Sequence, residues 1–177
     1  MQTIKTELRV NGMEVIIGHQ FLEDIVRDIP DIKENKSIFS TLALSDNPEV
    51  RESISRKDNL SNKTIHLLLN DENQEVVDNI LSNSDIAKYI KEETLFDILK
   101  SDNIKYLKTI ASNIDSYLLC DTCKIATILS KHKNTSVRFS LVRWSSANAV
   151  TSKILQVLSN DKDFDIANEA KKTLEWR

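Results

Sequence analysis

Apolar residues recur along this chain with the spacing of a helix face. In five places, one apolar residue follows another by four positions: Val50–Ile54, Val76–Ile80, Tyr106–Ile110, Val137–Leu141 and Ile166–Ala170. Residues four apart lie on the same side of an α-helix. The pattern therefore predicts five helices, each with one buried face.

A second apolar column precedes each leucine that ends an apolar run. Its members are Ile65 and Leu68, Leu95 and Ile98, Ile125 and Ile128, and Ile154 and Val157. We expect these residues to form the inward face of a partner helix, and Trp176 to cover the last pair. Two helices that recur in register every 25 to 31 residues predict a solenoid, because one pair alone cannot bury its apolar face. The predicted fold is all-α, a right-handed α-α superhelix of about five helix pairs over residues 19–177.

The first 18 residues follow a different pattern. Apolar and polar residues alternate on both sides of Asn11-Gly12, and Asn-Gly between two β-prone runs is a strong hairpin signal. Residues 1–18 are therefore predicted to form a short N-terminal β-hairpin that caps the first helix pair. The alternative is an open strand edge that pairs with a partner strand, or with a second copy in a homodimer.

Helix starts can also be located in the sequence. Asp46, with Glu49 three residues later, predicts a capping box, and Asp71 and Asp161 stand at similar boundaries. We expect these aspartates to accept hydrogen bonds from the first turns of the helices that follow them.

Composition supports a helical protein. The 177 residues include only two glycines and two prolines, too few for the many turns of a β-sandwich or barrel. No apolar run of about 18 residues is present to cross a membrane, and the N-terminal residues lack the basic start and apolar run of a secretory signal. We expect a cytoplasmic protein.

Charge is distributed unevenly within a net charge of −3. Residues 131–177 hold nine Lys/Arg and five Asp/Glu, a net +4, whereas residues 1–130 hold fifteen and twenty-two, a net −7. The acidic total argues against a nucleic-acid partner, which usually requires a basic stripe. The gradient is either a chance drift in surface composition or a surface that is acidic early and basic late.

The segment LSDNPEVRESIS, residues 44–55, resembles a known repeat family. Its residues match the HEAT-like family of variant leucine-rich repeats of bacterial proteins at Asp46, Pro48, Val50, Arg51 and Ile54. The resemblance covers roughly residues 40–170 and implies a helical-repeat fold, although the Val-Arg pair returns only at residues 137–138. Some relatives hold an iron–sulfur centre with an N-terminal cysteine cluster. This chain has no cysteine before residue 120, so no cofactor is expected.

Cys120 and Cys123 form the one C-x-x-C pair in the chain. Such a pair is half of a zinc site, or a redox pair in a thioredoxin-like fold. There is no second pair, and Cys120 falls in an apolar slot of the repeat. We expect reduced structural thiols; a redox role and a metal site are the alternatives.

No catalytic motif is present. The chain lacks the phosphate-binding glycine loop, the G-x-S-x-G turn and the H-E-x-x-H zinc motif, and His19, His66 and His132 share no motif. HEAT-like DNA glycosylases need a basic groove for phosphates and aromatic residues beside a catalytic carboxylate. Trp144 instead continues the core spacing of its helix. We therefore do not expect an enzyme.

Protein binding is the predicted function. We assume that the helices ending near Leu69, Leu99, Leu129 and Leu158 line the inner surface of the solenoid. Their predicted contact residues are Lys63, His66, Glu92, Glu93, Asp97, Asp121, Lys124, Lys153 and Gln156. A scaffold or adaptor is the first interpretation, an immunity or inhibitor protein against one toxin or enzyme is the second, and a glycosylase is the third.

Overall fold

Helices dominate the chain, as the sequence predicts. The computed structural model describes residues 7–10, 13–16, 19–144 and 150–176, with side chains for residues 13, 23–143 and 150–176. The helices are α1 His19–Asp28, α2 Lys36–Leu42, α3 Pro48–Ser55, α4 Asn62–Leu69, α5 Gln74–Ser82, α6 Ser84–Ala87, α7 Glu92–Lys100, α8 Ile104–Ser112, α9 Thr122–Ser130, α10 Thr135–Trp144, α11 Ser152–Leu158 and α12 Phe164–Glu175. Short 3-10 turns at Lys33–Asn35 and Ile114–Ser116 precede α2 and α9.

Two short strands precede the helices. Strand β1 (Glu7–Val10) pairs antiparallel with β2 (Met13–Ile16), and Leu8 is opposite Val15 in the register. The Asn11-Gly12 pair, from which the hairpin was predicted, lies outside the described residues. The side chain of Trp144 lies outside them as well.

The chain divides into two compact units, Met1–Ile86 and Ala87–Arg177. In the first unit, α2 packs on α3 and α4 packs on α5; in the second, α7 packs on α8, α9 on α10 and α11 on α12. We call α2, α4, α7, α9 and α11 the first helices of the pairs, and α3, α5, α8, α10 and α12 the second helices. Within each unit, successive second helices also pack on one another, α3 on α5 and α8 on α10 on α12.

The second helices carry the predicted apolar column into the core. Nine of its ten residues are fully buried: Val50, Ile54, Val76, Ile80, Ile110, Val137, Leu141, Ile166 and Ala170. Tyr106 is half-buried. Burial of each large aliphatic side chain contributes about 1.5–3 kcal/mol, so this column accounts for much of the stability of each unit. The prediction for the second helices is confirmed.

The prediction for the first helices is wrong at two positions. Ile128 is 41% exposed and Val157 is 54% exposed, although both were expected to face inward. In their helices, the residues that follow the buried isoleucines, Ala126 and Leu155, are themselves fully buried. One residue corresponds to about 100° around a helix. The buried face of α9 and of α11 is therefore displaced by one residue from the predicted face. Ile128 and Val157 point outward as a result.

The end of the chain also differs from expectation. Trp176 is 89% exposed and does not cover the last helix pair. It is the C-cap residue of α12, one residue beyond the last helical position.

Every turn between a first and a second helix contains the same two side-chain hydrogen bonds. The N-cap side chain accepts from an N–H of the first helical turn, and the caps are Asn47, Asn73, Asn103, Asn134 and Asp163. The side chain two residues before each cap accepts from the N–H of the cap, at 2.8–3.4 Å, and these residues are Ser45, Asp71, Ser101, His132 and Asp161. The recurrence of both bonds explains why five helices start in the same register.

The predicted capping box at Asp46 is wrong by one residue. Asn47 is the cap, and its side chain accepts from the N–H of Glu49 at 2.9 Å. Pro48 occupies the first helical position, where its missing N–H is not needed. The cap is therefore the residue directly before the proline.

Asp71 and Asp161 accept hydrogen bonds from arginine side chains, of which Arg51 is buried and Arg138 is partly buried, and they are not the caps themselves. Arg51 donates from Nε and Nη2 to the two carboxylate oxygens of Asp71, at 2.7 and 3.0 Å. Its Nη1 donates to the carbonyl oxygens of Ser45 and Asp46, at 2.9 and 3.2 Å. One arginine thus joins its own turn to the following turn through a two-bond, fork-like contact.

The second unit repeats this arrangement. Arg138 donates to the carboxylate oxygens of Asp161 at 2.7 and 2.8 Å, and to the carbonyl oxygens of His132 and Lys133 at 2.8 and 3.1 Å. The hydrogen bond from Arg138 lowers the pKa of Asp161 below its ordinary value. We call the Arg51–Asp71 and Arg138–Asp161 contacts the two arginine links.

Candidate functional site

The nine predicted contact residues are all at least partly exposed. Lys63 and His66 lie on α4 in the first unit, and the other seven lie in the second unit. His66 and Glu92 are half-buried, and the remaining ones are exposed: Lys63, Glu93, Asp97, Asp121, Lys124, Lys153 and Gln156. Their exposure makes each of them accessible to a partner.

Three of the predicted residues come together where α7 meets the start of α9. Glu92 accepts from the backbone N–H of Asp121 at 3.3 Å, and one of its carboxylate oxygens lies 3.6 Å from Nζ of Lys124. Asp121 is the N-cap of α9 and accepts from the N–H of Lys124 at 3.0 Å. Lys124 Nζ also lies 4.4 Å from the ring centroid of Phe96. The cluster fixes the start of α9 beside α7, so Glu92 and Asp121 have structural roles.

Glu93 and Asp97 are separate from that cluster. Both are exposed on α7, and Asp97 pairs with Lys100 of the same helix at 2.9 Å. A pair so exposed contributes at most about 1 kcal/mol. These carboxylates are available to a partner but form no organised site.

One surface of the second unit is formed by α9 and α11, which pack side by side. Ile128 on α9 and Val157 on α11 are exposed at equivalent positions of the repeat. Lys124 and Lys153 stand four residues before them, one helical turn away on the same side, and Lys131 follows α9. We call these five residues the basic face; Gln156 lies beside them and is exposed.

The basic face has an uncompensated positive charge on its own helices. Neither α9 nor α11 contains an Asp or a Glu. Lys124 approaches Glu92 of α7, while Lys131 and Lys153 form no ion pair among the described residues. An apolar centre with a polar rim is the usual anatomy of a protein–protein contact.

Sequence reasoning identified Lys124, Lys153 and Gln156 but placed Ile128 and Val157 in the core. Two signals could have corrected this. Ala126 is apolar, so α9 has a second set of apolar positions that could form its buried face. Leu155 has the same effect in α11. A lysine one turn before each exposed aliphatic residue also indicates a solvent-facing side, because lysine is rarely buried without a partner.

A groove that the sequence did not indicate lies on the second helices of the same unit. Its volume is about 400 Å³, and its lining includes Lys108 of α8, Phe139 and Arg143 of α10, and Asp163 and Asp165 at the start of α12. Arg143 lies over the ring of Phe139, 5.8 Å from its centroid. Cations and carboxylates together line the groove, so its charge selects no single class of ligand.

The two cysteines are free thiols. Cys120 is half-buried and donates to the carbonyl oxygen of Ile90 at 3.5 Å. Burial, together with the charge of Glu92, raises the pKa of the Cys120 thiol to about 11. A thiol that stays protonated at neutral pH is a poor nucleophile and redox partner, which favours the structural role for Cys120. Cys123 is exposed on the first turn of α9.

His132 belongs to the turn before α10. Its Nδ1 accepts from the N–H of Asn134 at 3.1 Å, and its Nε2 lies 2.7 Å from a carboxylate oxygen of Asp102. Lys133 donates to the other oxygen at 2.6 Å. Hydrogen bonds from Lys133 and His132 lower the pKa of Asp102. These contacts give His132 a role in the turn.

Among the described residues, no three His, Cys, Asp or Glu side chains come close enough together to hold a metal ion. Within the same part of the chain, no helix has the length and apolar character needed to cross a membrane.

Neither a scan of protein-family models nor a search of curated proteins finds a match to this chain. The comparisons therefore give no support to the resemblance to variant leucine-rich repeats. Arg51, one of the motif residues, forms an arginine link, as does Arg138 in the second Val-Arg pair.

Proposed function

We propose that this chain is a cytoplasmic, protein-binding helical-repeat protein, a scaffold or adaptor of the HEAT-like kind. The observation that carries the proposal is the basic face of α9 and α11. Ile128 and Val157 are exposed there, where the equivalent residue of α4 is buried. The surrounding residues Lys124, Lys153 and Gln156 were predicted as contacts on other grounds.

Protein is a better ligand for this face than a small molecule. The aliphatic side chains stand on the outer surface of two helices, outside any enclosed cavity, whereas small-molecule sites are concave and bury most of their ligand. Aliphatic side chains at the centre of a contact lose water when a complementary protein surface covers them, and the polar rim fixes orientation.

A right-handed α-solenoid, with a hairpin cap at its N-terminus, is part of the proposal. Its support is the recurrence of the same turn bonds in five consecutive helix pairs, together with the buried column of the second helices. Alternatively, the hairpin pairs its open strand edge with a second copy of the chain. Analytical ultracentrifugation of the full chain distinguishes the two roles, because only the second produces a dimer.

The test is affinity capture with matched variants. The wild-type chain, an Ile128→Gln/Val157→Gln variant and a control, Lys171→Gln at an exposed lysine of α12, are immobilised, and proteins retained from the native cell are identified by mass spectrometry. We expect at least one protein that wild type and the control retain and the double variant loses. Its purified form should bind wild type in a titration. If every retained protein binds all three chains equally, the proposed function is wrong.

An immunity or inhibitor protein is the second candidate. It is favoured by the exposed carboxylates of α7, Glu93 and Asp97, because an acidic surface can cover the cationic site of an enzyme. Such a protein binds one cognate partner with a Kd in the nanomolar range or tighter, whereas a scaffold binds several partners more weakly. Charge reversal at Glu93 and Asp97 would weaken the inhibitor's binding and leave contacts at the basic face unchanged.

A further inference from the structure

The basic face also indicates the chemistry of its partner. We propose that it binds an acidic amphipathic helix of another protein, which lies across α9 and α11 with two apolar residues over Ile128 and Val157. This inference rests on the proposed protein-binding function. It adds the charge, the secondary structure and the residue spacing of the partner segment.

The spacing of the apolar positions selects a helix. Ile128 and Val157 occupy equivalent positions on two adjacent helices, whose axes pack about 8–10 Å apart. Residues i and i+7 of an α-helix lie on one side, separated by about 10.5 Å along its axis. A helix that crosses α9 and α11 therefore presents such a pair at the matching distance.

The charges of the face select an acidic partner. Lys124 stands one turn before Ile128, Lys131 stands three residues after it, and Lys153 stands one turn before Val157. All three lysines are exposed, and the helices that carry the aliphatic residues contain no Asp or Glu. Carboxylates that flank the apolar pair of the partner complement these lysines, and such complementarity sets orientation and speeds association.

The composition of the face disfavours a nucleic acid. Single strands stack their bases on aromatic side chains, and specific readout of a duplex depends on arginine and other hydrogen-bonding side chains. The centre of this face is aliphatic, and its cations are lysines on α9, after it and on α11. Aliphatic Ile128 and Val157 gain little from phosphate or base contact, whereas they gain from an apolar protein side chain.

Three synthetic 18-residue peptides test the inference by fluorescence anisotropy with the full-length chain. The first is an acidic helix with leucines at positions i, i+3, i+4 and i+7, flanked by glutamates. The second replaces each glutamate by lysine, and the third has the composition of the first with its leucines dispersed. We expect the first peptide to bind at least tenfold more tightly than the other two, and to weaken as salt is raised.

Variants of the chain locate the contact. Ile128→Gln/Val157→Gln should weaken binding of the acidic peptide at least tenfold, as should Lys124→Gln/Lys153→Gln. Lys171→Gln, which removes an exposed lysine of α12 that is not among the predicted contact residues, should leave it unchanged. Thermal unfolding of each variant verifies that the chain is folded. Equal binding of the basic or dispersed peptide, or no binding of the acidic peptide, overturns the inference.

Other occupants give distinguishable results. Binding of a duplex or single-stranded oligonucleotide that is tighter than that of the acidic peptide and unaffected by Ile128→Gln/Val157→Gln overturns the inference in favour of phosphate contact. Concentration-dependent self-association that this double variant abolishes, without peptide binding, assigns the face to a second copy. If the acidic peptide fails but a captured protein is lost with the double variant, the partner chemistry is wrong and the protein-binding function stands.

Discussion

Helix α4 in the first unit and helices α9 and α11 in the second unit follow the same apolar pattern and bury different sides. Leu68 of α4 is fully buried, whereas Ile128 and Val157 at the equivalent positions are exposed. Four residues earlier, Thr64 of α4 is buried, and its hydroxyl lies 2.8 Å from Ser40 Oγ of α2 and 2.7 Å from Ser61 Oγ. The equivalent residues of α9 and α11 are exposed lysines.

The difference shows that a polar residue decides which apolar side of a helix is covered. A threonine hydroxyl can be buried once it has a hydrogen-bond partner, and Ser40 supplies one for Thr64. An ammonium group at the same position has three donors and a charge, which are expensive to remove from water. Lys124 therefore keeps its side of α9 in solvent, and Ile128 stays exposed with it.

Each unit contains one arginine link. Of the changes proposed here, breaking a link is expected to have the largest effect on the free energy of unfolding. Asp71→Ala in the first unit leaves the buried Arg51 without its carboxylate, and Asp161→Ala in the second leaves the partly buried Arg138 without its carboxylate. Loss of one partner from a buried pair costs about 3–5 kcal/mol. We expect a drop of that size in the free energy of unfolding for Asp71→Ala and a smaller drop for Asp161→Ala, because Arg138 is only partly buried; urea denaturation measures both.

The matched control is Asp97→Ala, which removes the carboxylate of an exposed ion pair. Its effect should lie within about 0.5 kcal/mol of zero. A loss below about 1 kcal/mol for both Asp71→Ala and Asp161→Ala would show that the links do not hold consecutive turns together.

Truncation of the equivalent apolar residues sharpens the comparison between α4 and α9. Leu68→Ala removes a fully buried side chain and should destabilise the chain by about 2–5 kcal/mol. Ile128→Ala removes a side chain that is 41% exposed and should cost less, roughly 1 kcal/mol. Urea denaturation of both variants checks the difference, and similar losses would place Ile128 in the core.

A smaller effect is expected from the titration of Asp161. Its pKa is lowered in the folded chain by the hydrogen bond from Arg138. The link therefore stabilises the folded chain above the ordinary aspartate pKa of about 3.9, and this contribution disappears as pH falls through the lowered pKa. The stability difference between wild type and Asp161→Asn should therefore shrink as the pH is lowered from 6 to 2.

Urea denaturation at a series of pH values checks this prediction, with Asp97→Asn as the control for loss of one surface carboxylate. A difference between wild type and Asp161→Asn that stays constant over this range would show that the charge of Asp161 does not contribute through its link to Arg138.

The sequence could predict the second helices because their apolar positions admit one buried face. Val50 and Ile54, for example, are the only aliphatic residues of α3, so they define a single apolar face. The buried face of α9 was harder to predict. This helix has two overlapping apolar sides, formed by Ile125, Ala126, Ile128 and Leu129. The choice between them depends on whether the residue at position 124 can find a buried partner on another helix.

The arginine links were also beyond the sequence pattern. Asp71 lies 20 residues after Arg51, and Asp161 lies 23 residues after Arg138, so neither pair falls within one helix or one turn. To predict either pair, one has to know how the turns of successive helix pairs align in the repeat. One internal signal was available: where the arginine position holds Val77 or Leu107, the following turn has no aspartate at the equivalent position.

Cysteine accessibility tests the difference between the two units most directly. Leu68→Cys, Ile128→Cys and Val157→Cys are each placed in a chain that carries Cys120→Ser and Cys123→Ser, and their modification by a maleimide is timed under native conditions. We predict that the thiols at positions 128 and 157 react within about tenfold of the rate in the unfolded chain, and that the thiol at position 68 reacts at least about 100-fold more slowly. Equal protection at all three positions would contradict the exposed basic face, and with it the surface proposed to bind a partner.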